Sequence, residues 1–207
     1  MITSTMRNII VVSILGLSIA MFAGAQTPTD STTGSSTREQ MRQERQSQIE
    51  AKRAELQARM TTIRDERKKQ AVERIYTQVN KLNERMTGHF TNVLDQIDEM
   101  LDRVENRMSK AEANGLDVST VTPEIANAEA VIALARASVQ TQAAKVYAVQ
   151  TTGDETTLRS EVGKTRQALH ADLTAVREKV KAARDAVRKA AVALAQIPRA
   201  NEVEVPP

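Results

Sequence analysis

Three long stretches of the chain repeat apolar side chains at spacings of three and four residues, the pattern of amphipathic α-helices. These stretches cover residues 72–111, 125–149 and 158–197, and short breaks near residues 114–121 and 151–155 separate them. Short connections place consecutive helices antiparallel to one another. The pattern therefore predicts an all-α fold, an elongated antiparallel three-helix bundle or coiled coil with a long N-terminal helix.

Composition narrows the kinds of core and site that such helices can form. Aromatic residues make up 2% of the chain, so the aliphatic residues and methionine have to supply the packing. The chain contains no cysteine, which excludes disulfides, thiolate metal sites and cysteine nucleophiles.

The two ends of the chain differ in character from the helical part. Arg7, an apolar run over residues 9–23 and an A-x-A sequence ending at Ala25 predict a signal peptide at 1–25. The alternative is an uncleaved signal anchor, and both place the protein outside the cytoplasm: periplasmic, on the cell surface or secreted. The remaining predicted segments are a disordered Thr/Ser-rich tether at 26–37, helices at 38–113, 122–151 and 154–197, and a disordered tail at 198–207.

The first predicted helix is much longer than the second, so part of its apolar stripe has no partner in this layout. Apolar side chains of this kind should not stay in water. Either the helices slide relative to this layout, or copies of the chain associate there. We therefore predict an association seam at both overhangs. Its residues are Val72, Ile75, Val79 and Leu82, with Val187, Leu194 and Ile197.

Two glycines lie inside the predicted helices, where each costs about 1 kcal/mol relative to alanine. When the helices are laid out from their loops, Gly88 and Gly163 reach the same level as Ala143 and Ala144. This coincidence predicts a helix-packing waist, where backbones approach closely. A flexible kink at Gly88 is the alternative.

No constellation of residues resembles an active site. His89 and His170 have no ligand motif around them, and the acids of residues 95–105 fall on the face opposite the apolar stripe. We therefore predict no catalytic residue, no metal, no cofactor and no enzymatic activity. Gln142, at a core position, is interpreted as a residue that sets helix register.

Basic residues concentrate at 38–74 and at 164–189. Pairing with acids four residues away on exposed helix faces explains such clusters in most helices. The alternative is attraction to a polyanion or to an anionic membrane surface.

Residues 103–119 read RVENRMSKAEANGLDVS. This junction resembles a recurring segment of exported helical proteins from candidate-phylum (Patescibacteria-type) bacteria, which are similar along most of the chain. The resemblance implies a bacterial origin and this architecture, without an activity. A looser similarity links the chain to periplasmic chaperones with helical tentacles, although the β-strand segment through which those trimerise is missing here.

Together these features predict an exported structural or interaction coiled-coil protein of the cell envelope or exterior. It would act by helix–helix association with itself or with another helical protein, and without a small-molecule substrate. The alternatives are a holdase-like periplasmic chaperone and a binder of polyanions or anionic membranes through the basic helix faces.

Overall fold

A computed structural model describes residues 32–151 and 154–198, and over these ranges the chain is all-α, as predicted. Four α-helices follow one another: α1 (Thr32–Arg59), α2 (Glu66–Ala113), α3 (Thr122–Ala144) and α4 (Leu158–Ala195). One 3-10 turn, Met60–Thr62, lies between α1 and α2. The predicted signal peptide at 1–25, the first half of the tether (26–31) and the tail beyond Pro198 lie outside the described residues.

Helices α2, α3 and α4 form a bundle around one hydrophobic core. Contacts at two levels show the directions of the helices. Arg136 of α3 meets Asp95 of α2 at 2.8 Å, and the later Gln142 meets the earlier Asn83 of α2 at 2.9 Å. Glu124 of α3 meets Lys189 of α4 at 2.9 Å, and Lys145, just past α3, meets the earlier Asp172 of α4 at 2.9 Å. Helix α3 therefore runs antiparallel to both neighbours, and α2 and α4 run in the same direction. Alanines line the centre of the interfaces and are fully buried: Ala128, Ala135, Ala183 and Ala190. Such small side chains let helix backbones approach closely.

The turn between α2 and α3 forms where the sequence predicts it. Gly115 adopts a φ of 77°, a left-handed conformation that glycine reaches without steric cost. The N–H of Leu116 donates to the carbonyl of Ala111 at 3.1 Å and so satisfies one of the last carbonyls of α2.

The long N-terminal helix predicted over residues 38–113 is not continuous. The β-branched run at residues 61–63 lies at the break, and Asp65 then caps α2 by accepting hydrogen bonds from the N–H groups of Arg67 and Lys68. Helix α1 folds back along α2. The Tyr76 hydroxyl donates to the carbonyl of Ile49 at 2.6 Å, and Arg45 donates to the carbonyl of Asn80 at 3.0 Å.

The fold-back gives α1 the partner that a straight helix would lack. The side chains of Leu56, Met60 and Ile63 are buried in a second hydrophobic cluster. Residues from the rest of the chain complete this cluster: Val72, Tyr76, Val149 and Leu158. Helix α1 also begins at Thr32, inside the segment predicted to be a disordered tether.

The helix predicted over residues 122–151 ends early, at Ala144. Residue 145 turns into an extended conformation with φ −70° and ψ 136°. Along this segment the buried residues alternate with more exposed ones, since Tyr147, Val149 and Thr151 are buried while Val146 and Gln150 are not. The alternation is that of a strand-like backbone. We call residues 145–151 the extended segment. Helix α4 then starts at Leu158 rather than at residue 154.

The chain itself covers most of the predicted association seam. Val72, Val79, Val187, Leu194 and Ile197 are buried against other parts of the chain. Ile75 is half-buried. Leu82 is the exception, since 37% of its surface is exposed. The seam predicted for contact between molecules is thus mainly part of the intramolecular core.

The predicted helix-packing waist does not form. Gly88, Gly163 and Ala144 are exposed, and Ala143 is half-buried. A Cβ atom built on either glycine would have no neighbouring atom within 4 Å. Neither glycine serves a close approach of backbones, and both helices continue through them without a break.

The fold-back of α1 predicts a short distance between Gln46 and Lys81, two exposed positions on facing helices. Spin labels on Gln46→Cys and Lys81→Cys should give a distance below about 25 Å, because packed helix axes lie only about 8–10 Å apart. A continuous helix would separate the labels by about 52 Å. Electron–electron double resonance measures this distance. A control pair, Lys81→Cys and Glu99→Cys within α2, should give about 27 Å in either arrangement.

Glycine substitutions test the absence of the waist. Gly88→Ala and Gly163→Ala should each raise the free energy of unfolding by about 0.5–1 kcal/mol, because alanine favours the helix and meets no neighbour. Gly115→Ala should lower it by about 1–2 kcal/mol, because its positive φ strains a Cβ. Urea denaturation measures all three variants. Destabilisation by the first two would mean that backbones do meet there.

Candidate functional site

An open apolar groove of about 650 Å³ lies between α2 and α4. Val79, Phe90 and Leu169 are buried and form its floor, while Leu82 stands partly in solvent at its edge. Methionine and leucine fill the walls at Met86 and Leu173, and the exposed rim is polar or basic: Gln78, Arg166, Gln167, His170, Thr174 and Arg177. From Arg166 to Arg177 the groove is about 17 Å long. We call this site the α2/α4 groove.

The groove lies on the side of α2 and α4 that faces away from α3 and from the extended segment. Below Ala144 the place of α3 is taken by the extended segment, which is narrower than a helix of about 10–12 Å diameter. The extended segment covers one side of α2 and α4, where Tyr147 packs against Val79 and Leu169. The opposite side of the same two helices is left as the groove.

Two asparagines of α2 hold the extended segment in place. Asn80 binds both backbone groups of Tyr147: its side chain donates to the carbonyl at 3.0 Å and accepts from the N–H at 3.0 Å. Asn83 donates to the carbonyls of Gln142 and Lys145, at 3.0 and 3.1 Å. These contacts replace the hydrogen bonds that the helix would have made, as buried backbone groups require.

A side-chain network continues from these asparagines to α4. The Gln142 amide donates to Asn83 at 2.9 Å and to the Tyr147 hydroxyl at 2.7 Å. The Tyr147 hydroxyl in turn donates to Asp172 at 2.5 Å, and Lys145 donates to the same carboxylate oxygen at 2.9 Å. Gln142 is therefore a buried core residue, as predicted. Near the end of α3, its side chain links that helix to Asn83 of α2 and to Tyr147 of the extended segment.

Burial and hydrogen bonding shift the protonation equilibria of this network. Burial, together with the hydrogen bond to Asp172, raises the pKa of Tyr147 to about 12. The hydrogen bond from Tyr147 is the largest cause of the lowered pKa of Asp172. Both shifts favour the state with a neutral phenol and an ionised carboxylate. Tyr147 is thus a hydrogen-bond donor at neutral pH and not a base. Its hydrogen bond to Asp172 links the extended segment to α4 and in this way stabilises the fold.

The structure separates the other residues that the sequence singled out. His170 lies on the groove rim. The ring of His89 lies near the ring of its chain neighbour Phe90, with 6.0 Å between the two centroids. Asp95 and Asp98 bind Arg136 of α3. Within residues 32–151 and 154–198, no three His, Asp or Glu side chains are grouped so as to hold a metal ion. Over the same ranges, no helix is long and apolar enough to cross a bilayer.

Sequence reasoning placed Val79 and Leu82 in a seam but missed the groove. Leu169 and Leu173 belong to the apolar repeat of residues 158–197. The groove depends on which faces of α2 and α4 the rest of the chain covers, and no local pattern of the sequence reports this.

The arrangement suits binding by shape and charge. Apolar side chains form the floor, and Arg166 and Arg177 supply positive charge at the rim. No family of proteins, curated protein or solved structure matches this chain, so the functional argument rests on the groove itself.

The Tyr147–Asp172 hydrogen bond predicts a pH dependence of stability with two limits. Because the folded pKa of Asp172 is lowered, its contribution is present above the ordinary value of about 3.9 and is lost as the pH falls through it. The pKa of Tyr147 is raised from about 10 to about 12. Its contribution to stability is therefore present below about pH 10 and is lost as the pH rises from about 10 to about 12. The stability difference between wild type and Tyr147→Phe should therefore be largest between about pH 5 and 9.

Chemical denaturation over a pH series measures this difference. Tyr76→Phe is the matched control, because the Tyr76 hydroxyl donates to a backbone carbonyl that does not titrate. Its stability difference should show no decline on the acid side. An acid-side decline of equal size in both variants would contradict the assignment to Asp172.

Proposed function

We propose that the protein is an exported interaction module that binds one amphipathic helix of a partner protein in the α2/α4 groove. The observation that carries the proposal is the groove: apolar on its floor, polar on its rim and open along two parallel helices. Grooves of this kind accept the apolar face of a helix through side chains at i, i+3, i+4 and i+7. The length of about 17 Å corresponds to about three helical turns.

The small exposed area of the groove favours a single helix over a second copy of this chain. A stable dimer interface buries about 1,200–2,000 Å². Most apolar residues of the groove already pack inside the chain, and Leu82 is exposed by only 37%. A helix that enters the groove reaches its floor, whereas two bundles placed face to face would touch only at the rims.

The cellular setting is part of the same proposal. The predicted leader at residues 1–25 and the resemblance to exported bacterial helical proteins support a periplasmic, surface or secreted location. The three-residue and four-residue repeats of α2, α3 and α4 support an elongated antiparallel three-helix coiled coil. In this arrangement the bundle is the scaffold, and the groove is the place where a partner docks.

A groove substitution tests the proposal with a designed peptide probe. The probe is a fluorescein-labelled amphipathic helix with a leucine face and glutamine flanks. Leu82→Glu should weaken its binding by about tenfold or more, because the peptide would bury an unpaired carboxylate. Fluorescence anisotropy measures the dissociation constant.

Leu134→Glu is the matched control, since Leu134 is an exposed leucine of α3 outside the groove. This variant should bind the peptide like the wild type. Circular dichroism checks that both variants keep their helicity. If the wild type does not bind the peptide, or if both variants bind it equally, the proposed function is wrong.

A further inference from the structure

Basic side chains of α4 line up beside the groove and continue past its end. At 100° per residue, the side chains of this set project within about 60° of one another around the helix. They are Arg166, His170, Arg177, Lys181, Arg184 and Arg188, and all are exposed. We call this set the basic stripe. It is about 33 Å long, roughly twice the length of the groove.

No ion pair within the described residues holds a side chain of the basic stripe. Among the described residues, ion pairs of α4 link Lys189 to Glu124 and Asp172 to Lys145. None joins Arg166, Arg177, Lys181, Arg184 or Arg188 to a carboxylate within the described part of the chain. Glu178 and Asp185 lie three or four residues from members of the stripe, but neither forms an ion pair with them within the described part of the chain.

An apolar strip on α2 accompanies the basic stripe along the same valley. Leu82, Met86, Val93 and Met100 project within about 40° of one another. Leu82 and Met100 are exposed by 37% and 40%, and Met86 and Val93 are half-buried against the core. Since α2 and α4 run in the same direction, Met100 lies near the level of Arg184. The valley thus keeps one apolar wall and one basic wall beyond the groove.

We propose that the valley between α2 and α4 takes a partner helix that is apolar on one face and acidic on one flank, about six turns long. This inference rests on the proposed function and names the chemistry of its partner. The apolar face contacts the strip on α2, and the acidic flank lies against the basic stripe of α4. Charge of one sign along a binding surface selects partners of opposite sign and speeds their association.

Two other occupants fit the valley less well. A second copy related by a two-fold axis would bring its own basic stripe against the first, because such an interface pairs like surfaces. A lipid surface needs apolar side chains that project from a convex face, as in interfacial amphipathic helices. Here the apolar strip is recessed between two helices, with Met86 and Val93 half-buried.

Three designed peptides of about 22 residues test the inference. They share one leucine face and differ in one flank, which carries glutamate, glutamine or lysine. Wild-type protein should bind the glutamate peptide at least about fivefold more tightly than the glutamine peptide, and the lysine peptide most weakly. The preference should shrink as salt is raised from 20 to about 300 mM, because salt screens exposed charges.

Charge reversal on the stripe provides the matched comparison. Arg177→Glu with Arg184→Glu should abolish the preference for the glutamate peptide. Lys164→Glu with Lys179→Glu changes the net charge equally, but these exposed lysines project more than about 100° away from the stripe's centre. That control should retain the preference, and circular dichroism checks the helicity of both proteins.

The outcomes separate this inference from the proposed function. If all three peptides bind with equal affinity, or if both double variants lose the preference alike, the acidic-partner inference is wrong while helix binding stands. If no peptide binds, both are wrong. Binding to vesicles of anionic phospholipid without binding to any peptide, or a dimer in light scattering that the stripe variant dissociates, would replace the helix with a membrane or a second copy.

Discussion

The backbone of residues 145–151 belongs to no helix, yet much of it lies inside the protein and has to be hydrogen-bonded. Asn80 and Asn83 meet this requirement with their side-chain amides. Because the extended segment is held in this way, α3 can end in the middle of the bundle instead of at its tip. Helix α1 then packs over the extended segment at that end of the molecule, and α2 and α4 are left uncovered on their opposite side. The groove lies on that uncovered side, between α2 and α4.

The parts of the fold that depend on side-chain periodicity could be predicted from the sequence. Apolar repeats define the stripes of α2 and α4, and the Asn114–Gly115 pair defines the turn that follows α2. Gln142 was recognisable as a buried polar residue because it occupies a core position. In each case the physical signal is local, since helix geometry alone decides which side chains share a face.

The parts that depend on competition between distant segments could not be predicted in the same way. Val139 and Val146 keep a helical spacing of seven, so nothing local announces that the helix ends between them. The end is decided by Asn80 and Asn83, about 60 residues away in the chain. The break before α2 left a weak local trace, the Asp65 cap after a β-branched run. Charged residues dominate the sequence of α1, so its few apolar residues did not indicate that the helix folds back along α2.

The extended segment also determines how the chain tolerates changes in length. An extended backbone rises about 3.3 Å per residue, whereas a helix rises about 1.5 Å. One deletion there would shift the following chain by more than two helical residues, and it would turn Tyr147 and Val149 to the opposite face. Insertions and deletions among relatives are therefore expected at the turns between helices, while the spacing from Gln142 to Thr151 should stay constant.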